Sequence, residues 1–246
     1  MMRGHGKKII SAVLALALVA GRIGGLLNAR ESRQSLAPTR LPGRQLILDA
    51  GHGGEDGGAV SVTGVPESGV NLEIVRKLDA LFGFCGVAPI LLRSEDVSLH
   101  DPNADTLRKK KVSDLHNRVA AIEAVENALV ISIHQNTFPD PAYHGAQVFY
   151  REEEESMALA AAIQTSLRKG IDPENGREPS KIADTVYLMK HITCPAVLIE
   201  CGFLSNAQEE AKLRQGGYQT QIGLCIASAV LQYEKNNGGT AGEDVV

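Results

Sequence analysis

Four side chains suited to hydrolytic chemistry stand at or near the ends of apolar runs in this chain. QLILD (45–49) opens into AGHGG, which puts His52 in a glycine-rich turn. ALVISIH (128–134) ends on His134, and AVLIE (196–200) ends on Glu200. Glu67, in GVPESGVNL, lies just ahead of a helical pattern. Two imidazoles and one carboxylate arriving from separate loops make an open tetrahedral zinc site with a fourth position left for water. That donor mixture suits zinc better than calcium or magnesium, which prefer all-oxygen shells. A further carboxylate beside such a site is what amide hydrolysis needs to take and return protons. Each residue alone reads as readily as a hydrogen-bonded strand end; the conjunction on one edge carries the chemistry. The glycine turn has neither the lysine of a phosphate-binding P-loop nor the GxGxxG spacing.

The elements that would position these groups alternate. Strands are expected at 45–49, 87–93, 128–134, 146–150 and 196–200, each a short apolar run bounded by turn residues. Between them, Val70, Ile74, Leu78 and Leu81 recur at helical spacing, closed by Gly83 and Gly86. Leu115, Val119, Ile122 and Val125 mark a second helix, with Ser113 as its expected N-cap. Met157, Ala160, Ile163 and Leu167 mark a third, its start favoured by Glu152 to Glu155. Asn206 and Glu209 read as a capping box, and Ile222, Ile226, Val230 and Tyr233 trace the last helix. Unbroken apolar strands alternating with helices predict an α/β fold whose sheet is covered on both faces. Ligands in such sheets bind at the carboxyl ends of the strands, where the four chemical residues fall.

The chain has 246 residues and a formal net charge of −4, but the charge is unevenly spread. Residues 1–30 hold five basic and no acidic side chains, leaving 20 basic against 29 acidic groups in the rest. So acidic a body argues against nucleic acid as a partner. With no Trp, a sugar groove of stacked indoles is excluded. The basic start followed by the apolar run 9–20 is the order of an export signal. Extended to Leu27, the run makes a helix of about 28 Å, enough to stay in a membrane as an anchor. Residues 1–27 are therefore expected to be an export signal or anchor and 28–43 a linker. A catalytic body at 44–235 and a disordered tail at 236–246 complete the expected organisation. Cys85, Cys194, Cys201 and Cys225 lack metal-type spacing and read as buried free thiols, one disulfide remaining open. Arg108 to Lys111 read as a solvated loop, attraction of stem-peptide carboxylates or wall polymers being the alternative. Asn136, two residues past His134, is a candidate to bind substrate, strand-end capping being the alternative.

Taken together, LDAGHGGEDGGAV, ESGVNLEIVRKL, SIHQN and LIECGFLSN resemble the four successive motifs of the zinc-dependent N-acetylmuramoyl-L-alanine amidases. The resemblance spans roughly residues 44–233. It implies that His52, Glu67 and His134 bind Zn2+, that Glu200 is the catalytic acid-base, and that a twisted, mostly parallel sheet of about six strands lies at the centre. After Glu67 this chain has Ser-Gly where the family commonly has Lys-Asp, which makes Glu73 the competing ligand. KKKVSDLHNRVAAIE, HGAQVFY and LSNAQEEAKL are similar to the subgroup acting on spore cortex, whose product leads to muramic lactam. The implied reaction is hydrolysis of the amide between muramic acid and the stem peptide's L-alanine, outside the cytoplasmic membrane. The resemblance implies peptidoglycan as a partner; the N-terminal segment adds the membrane, and the lack of a wall-binding repeat or Trp adds an activating or localising protein as an expectation. A zinc peptidase cutting within the stem peptide, or a silent wall-binding module, are the rival readings.

Overall fold

A computed structural model describes residue 41 and residues 43–237. The expected export segment, nearly all of the linker and residues 238–246 lie outside the described residues. No helix among the described residues is long and apolar enough to cross a membrane.

Among the described residues, six strands form one sheet: β1 (Gln45–Ala50), β2 (Ile90–Leu91), β3 (Ala128–Asn136), β4 (Gln147–Tyr150), β5 (Ser180–Lys181) and β6 (Ala196–Phe203). Their spatial order is β2-β1-β3-β6-β4-β5. All neighbouring pairs are parallel except β4 with β6. The helices of the described residues are α1 (Glu67–Phe84), α2 (Leu107–Glu123), α3 (Glu154–Gly170), α4 (Tyr187–His191), α5 (Ala207–Leu213) and α6 (Gly216–Asn237). The expected α/β architecture, mostly parallel with about six strands, is what the chain adopts. One core joins Leu46, Leu48, Ile131, Ile133 and Ile199 to Ile74 and Leu78 of α1, Ile163 of α3 and Ile226 of α6. On the opposite face Ile47, Val130 and Leu198 pack on Ile122 of α2 and Leu188 of α4. Adjacent residues of one strand thus feed different cores, which is why the strands read as unbroken apolar runs.

Several elements depart from expectation for identifiable reasons. β2 shrinks to two residues because Pro89 has no N–H for the ladder and Arg93 turns its side chain inward. The helix α2 begins at Leu107, where the Thr106 side chain accepts from Lys109 N. Ser113 is therefore an interior helix residue, and its hydroxyl donates to Asp101 at 2.8 Å. Most side chains over 107–113 face solvent, so no apolar stripe announces these first turns. Asn206 does cap α5, but Glu209 completes no capping box: its carboxylate accepts from Gly145 N and Phe203 N instead. The free cysteines differ in burial; Cys201 is buried, whereas Cys85 is exposed. The last helix runs to Asn237, past the expected start of the tail.

Candidate metal-dependent hydrolase site

The carboxyl ends of β1, β3 and β6 lie side by side. Pairing sets Ala50 beside Ile133 and His134 beside Glu200. Just past β1 the chain turns at His52, whose φ of 62° is left-handed, a conformation uncommon for a side chain with a Cβ. Glu67 opens α1, where Pro66 offers no side-chain cap. Its carboxylate reaches back instead to Ala59 N at 2.9 Å and to Gln135 N at 3.1 Å. The same carboxylate bridges both imidazoles, with Oε1 2.9 Å from His134 Nδ1 and Oε2 3.3 Å from His52 Nε2. One donor atom from each of the three side chains lies within 4.8 Å of the others. Two borderline nitrogens and one hard oxygen, converging from three elements, could hold a single divalent cation of the zinc type. Glu73, the competitor, is exposed and pairs with Arg76 at 2.9 Å.

Glycines make this convergence possible at two places. A Cβ on Gly51 would lie 2.1 Å from His134 Cε1. A Cβ on Gly58, whose φ is +70°, would lie 2.6 Å from both Glu67 Oε2 and His52 Cδ2. Backbone here passes too close to the three side chains for any other residue type.

A second set of side chains fixes the backbone beneath the site. Buried Arg93 donates to Ala50 O at 2.8 Å, Gly51 O at 3.0 Å and Ser68 O at 2.8 Å, tying the His52 turn to the start of α1. Buried Arg118 donates to Ala50 O at 3.0 Å and His52 O at 2.7 Å while pairing with Asp49 and Asp114. Asn71 Nδ2 donates to Gly51 O and to Glu67 Oε1, both at 3.1 Å. His52 Nδ1 donates to Asp56 Oδ2 at 3.0 Å, and Lys111 pairs with the other oxygen of Asp56 at 2.9 Å. Such partners set the ring orientation of a ligating histidine. The segment Arg108 to Lys111 is thus not a loop but the start of α2, with Lys109, Lys110 and Lys111 each paired to an acid. None of Arg93, Arg118, Asn71 or Asp56 stood out in the sequence, because nothing periodic marks them.

The electrostatics separate the carboxylates. Burial works against the charge of Glu67, yet hydrogen bonds and charge from both histidines hold its pKa far below the ordinary value. Burial would lower the pKa of His52, but Asp56 and Glu67 carry it up to about 9. Glu200 moves the other way: burial, with the Glu67 charge adding to it, pushes its carboxyl up to about 7 against the opposing pull of the histidines. Its Oε2 is buried without a hydrogen-bond partner. An orphaned acid tuned near neutrality, next to a set of cation donors, is suited to proton transfer. His52, His134 and Glu200 all line a cleft of about 260 Å³ walled by Leu115, Val186, Tyr187, Leu188 and Leu198. Asn136 ends β3 half-buried, beside Phe203 in the ladder, and is not among the residues lining that cleft. Among the described residues, His100, His116, His144 and His191 all lie outside the His52–Glu67–His134 group.

Residues 46–232 match the family model for N-acetylmuramoyl-L-alanine amidase. The chain belongs to that family. The germination-specific N-acetylmuramoyl-L-alanine amidase of Bacillus subtilis is 35% identical over 210 residues, covering 84% of this chain and 87% of that protein. The amidase LytC of the same organism is 27% identical over 194 residues, 78% of this chain but 36% of the longer relative. Among solved structures, the CwlD amidase of Clostridioides difficile, in complex with the GerS lipoprotein, is 38% identical. It superposes with a TM-score of 0.76 over 79% of this chain and all of that one. This amidase therefore acts on peptidoglycan.

Proposed function

We propose that the amidase is zinc-dependent, with His52, Glu67 and His134 holding the ion and Glu200 acting as general acid-base. The observation that carries this reading is the three-residue donor group with an unpartnered, near-neutral carboxyl beside it. When bound, zinc supplies Lewis acidity, polarising a carbonyl and making water a better nucleophile. Glu200, ionised in a substantial fraction at neutral pH, accepts a proton from the attacking water. The protonated carboxyl then returns it to the nitrogen of L-alanine as the amide bond to muramic acid breaks. Asp56 holds the His52 ring from its far side, while Asn71, Ala59 N and Gln135 N keep the Glu67 carboxylate in place. Burial beside the apolar wall of the cleft sustains the raised pKa of the acid. Asn136 would meet substrate only outside this cleft, at the end of β3.

Zinc content of the purified protein, read together with mass spectrometry of digested muropeptides, tests this. The expected result is about one zinc per chain, intact stem peptides starting at L-alanine, and bare muramic acid. Cuts within the stem peptide would favour the zinc peptidase reading instead. Resemblance to a germination-specific relative supports a role on spore cortex, on the route to muramic lactam. The lipoprotein bound to the Clostridioides difficile relative supports a protein partner for this chain too. The basic and apolar order of residues 1–27 supports export with the body outside the membrane, on a linker at 28–43. Fractionation of cells carrying tagged full-length protein checks that placement; recovery in the cytosol would remove it.

A further inference from the structure

The sheet face bearing His134 and Glu200 continues one strand further. In the antiparallel ladder of β6 and β4, Gln147 stands opposite Glu200, and opposed residues project to the same face. Gln147 Nε2 donates to Glu178 O at 3.1 Å, and its Oε1 accepts from Arg177 Nη1 at 3.3 Å. Gln147 thus links the Arg177 guanidinium to the strand position opposite Glu200.

Arg177 is firmly braced. Its Nε donates to His144 O at 2.8 Å, and its guanidinium lies 4.7 Å from the Phe203 ring centroid and 5.6 Å from that of Tyr143. Its own backbone N–H donates to Asn175 Oδ1 at 3.0 Å, and its carbonyl accepts from Arg168 Nη2 at 2.6 Å. Asn175 is buried and donates to Ala146 O at 2.8 Å, which fixes this loop to the start of β4. Two of the guanidinium's five N–H groups are engaged by these bonds. No carboxylate pairs with Arg177 among the described residues, whereas Lys109, Lys110 and Lys111 near the opposite side of the site are all paired. A rigid, half-buried guanidinium stacked on aromatic rings and lacking an anion is a preformed receptor for a planar carboxylate.

The substrate offers one two residues from the scissile amide. Beyond L-alanine, the stem peptide continues with a glutamate joined through its side chain, which leaves the α-carboxylate free. The fork is one strand and one hydrogen-bonded side chain removed from Glu200. Two residues of extended peptide span roughly 7 Å. We propose that Arg177 binds the α-carboxylate of the second stem residue, on the leaving-group side of the scissile amide. The amidase therefore prefers muropeptides in which that carboxylate is not amidated. This inference rests on the amidase reading of the same site.

Two synthetic muramoyl tripeptides, differing only in a free or amidated second-residue carboxylate, test it with the full-length protein and its R177Q and R177K variants. The wild type is expected to cleave the free acid with a kcat/KM roughly 10- to 100-fold higher. R177Q should lose about that factor on the acid, chiefly through KM, and change little on the amide. R177K should recover part of it, as a point charge without the fork. Equal rates of the wild type on both substrates would overturn the role of Arg177 without needing any variant to fold. So would an equal loss on both substrates in R177Q. Cleavage of neither substrate by zinc-loaded wild type would instead overturn the amidase chemistry assigned to this site, and the role of Arg177 with it.

Discussion

Glu200 and His134 are neighbours across a strand pair, yet the surroundings of the site's two carboxylates differ. The glutamate has no hydrogen-bond partner for one buried oxygen and a pKa pushed up to about 7, whereas Glu67 gives both oxygens to histidines and backbone N–H groups. Replacing Glu200 by Gln keeps the shape and removes the transferable proton. Zinc content should stay at the wild-type level while kcat falls by roughly 10² to 10⁴. A variant that turns over normally would take Glu200 out of the mechanism. Gly51 is the complementary case, since its importance is space rather than chemistry. A methyl group there meets the His134 ring at 2.1 Å. Gly51→Ala should therefore move that imidazole, and a displacement near 1 Å costs about 100-fold in rate. Steady-state rates on muropeptide, with far-UV circular dichroism as a control for folding, would check this.

At the scale of elements, the site depends on two buried arginines that join segments distant in sequence. Arg93 leaves the end of β2 and holds carbonyls of both the His52 turn and the first turn of α1. Arg93→Lys keeps the charge but not the planar fork, so it cannot reach all three carbonyls in the same geometry. The two histidines and Glu67 should then converge less well. Zinc affinity, measured by chelator competition, is expected to weaken roughly 10- to 100-fold, as for loss of other supporting partners. The site is also legible only in part at this scale. His52, His134 and Glu200 were readable because each interrupts or follows an apolar run, although β3 and β6 continue two and three residues past His134 and Glu200 rather than ending there. The first turns of α2 were not, because solvent-facing residues such as Lys109 leave no apolar stripe; nor was β5, which is two residues long.

Across the whole molecule, the buried Asp49–Arg118–Asp114 network links β1 to α2 directly under the His52 turn. Burial works against the Asp49 charge, but Arg118 and the Ser132 hydroxyl outweigh it and hold its pKa below the ordinary value. A carboxyl with a lower pKa folded than unfolded adds stability that is fully present above the unfolded value of about 4. That stability is lost as pH falls through the folded value. Urea unfolding at a series of pH values should show the midpoint holding above about pH 5 and dropping below pH 4. Asp49→Asn should flatten part of that drop; a wild-type curve unchanged down to pH 3 would contradict the assignment. Activity should decline first, as Glu200 takes up a proton below about pH 7, and stability only below pH 4, where the network that supports the His52 carbonyl loses its charge.

Local pattern determined the alternation of strands and helices, the two-faced sheet, and the arrival of His52, His134 and Glu200 on one edge. These follow from the period of apolar residues and from where each run stops, both written within a few residues of one another. Tertiary structure alone decided that Glu67 bridges both imidazoles while Glu73 turns to solvent, and that Glu200 is left without a partner. It alone set Arg93 and Arg118 under the His52 turn, drew Glu209 away from its own helix cap, and placed an unpaired Arg177 beyond Gln147. Such contacts join single side chains to backbone or rings far away in the chain. They leave no periodic trace in the sequence, and only packing the layers together brings them within reach.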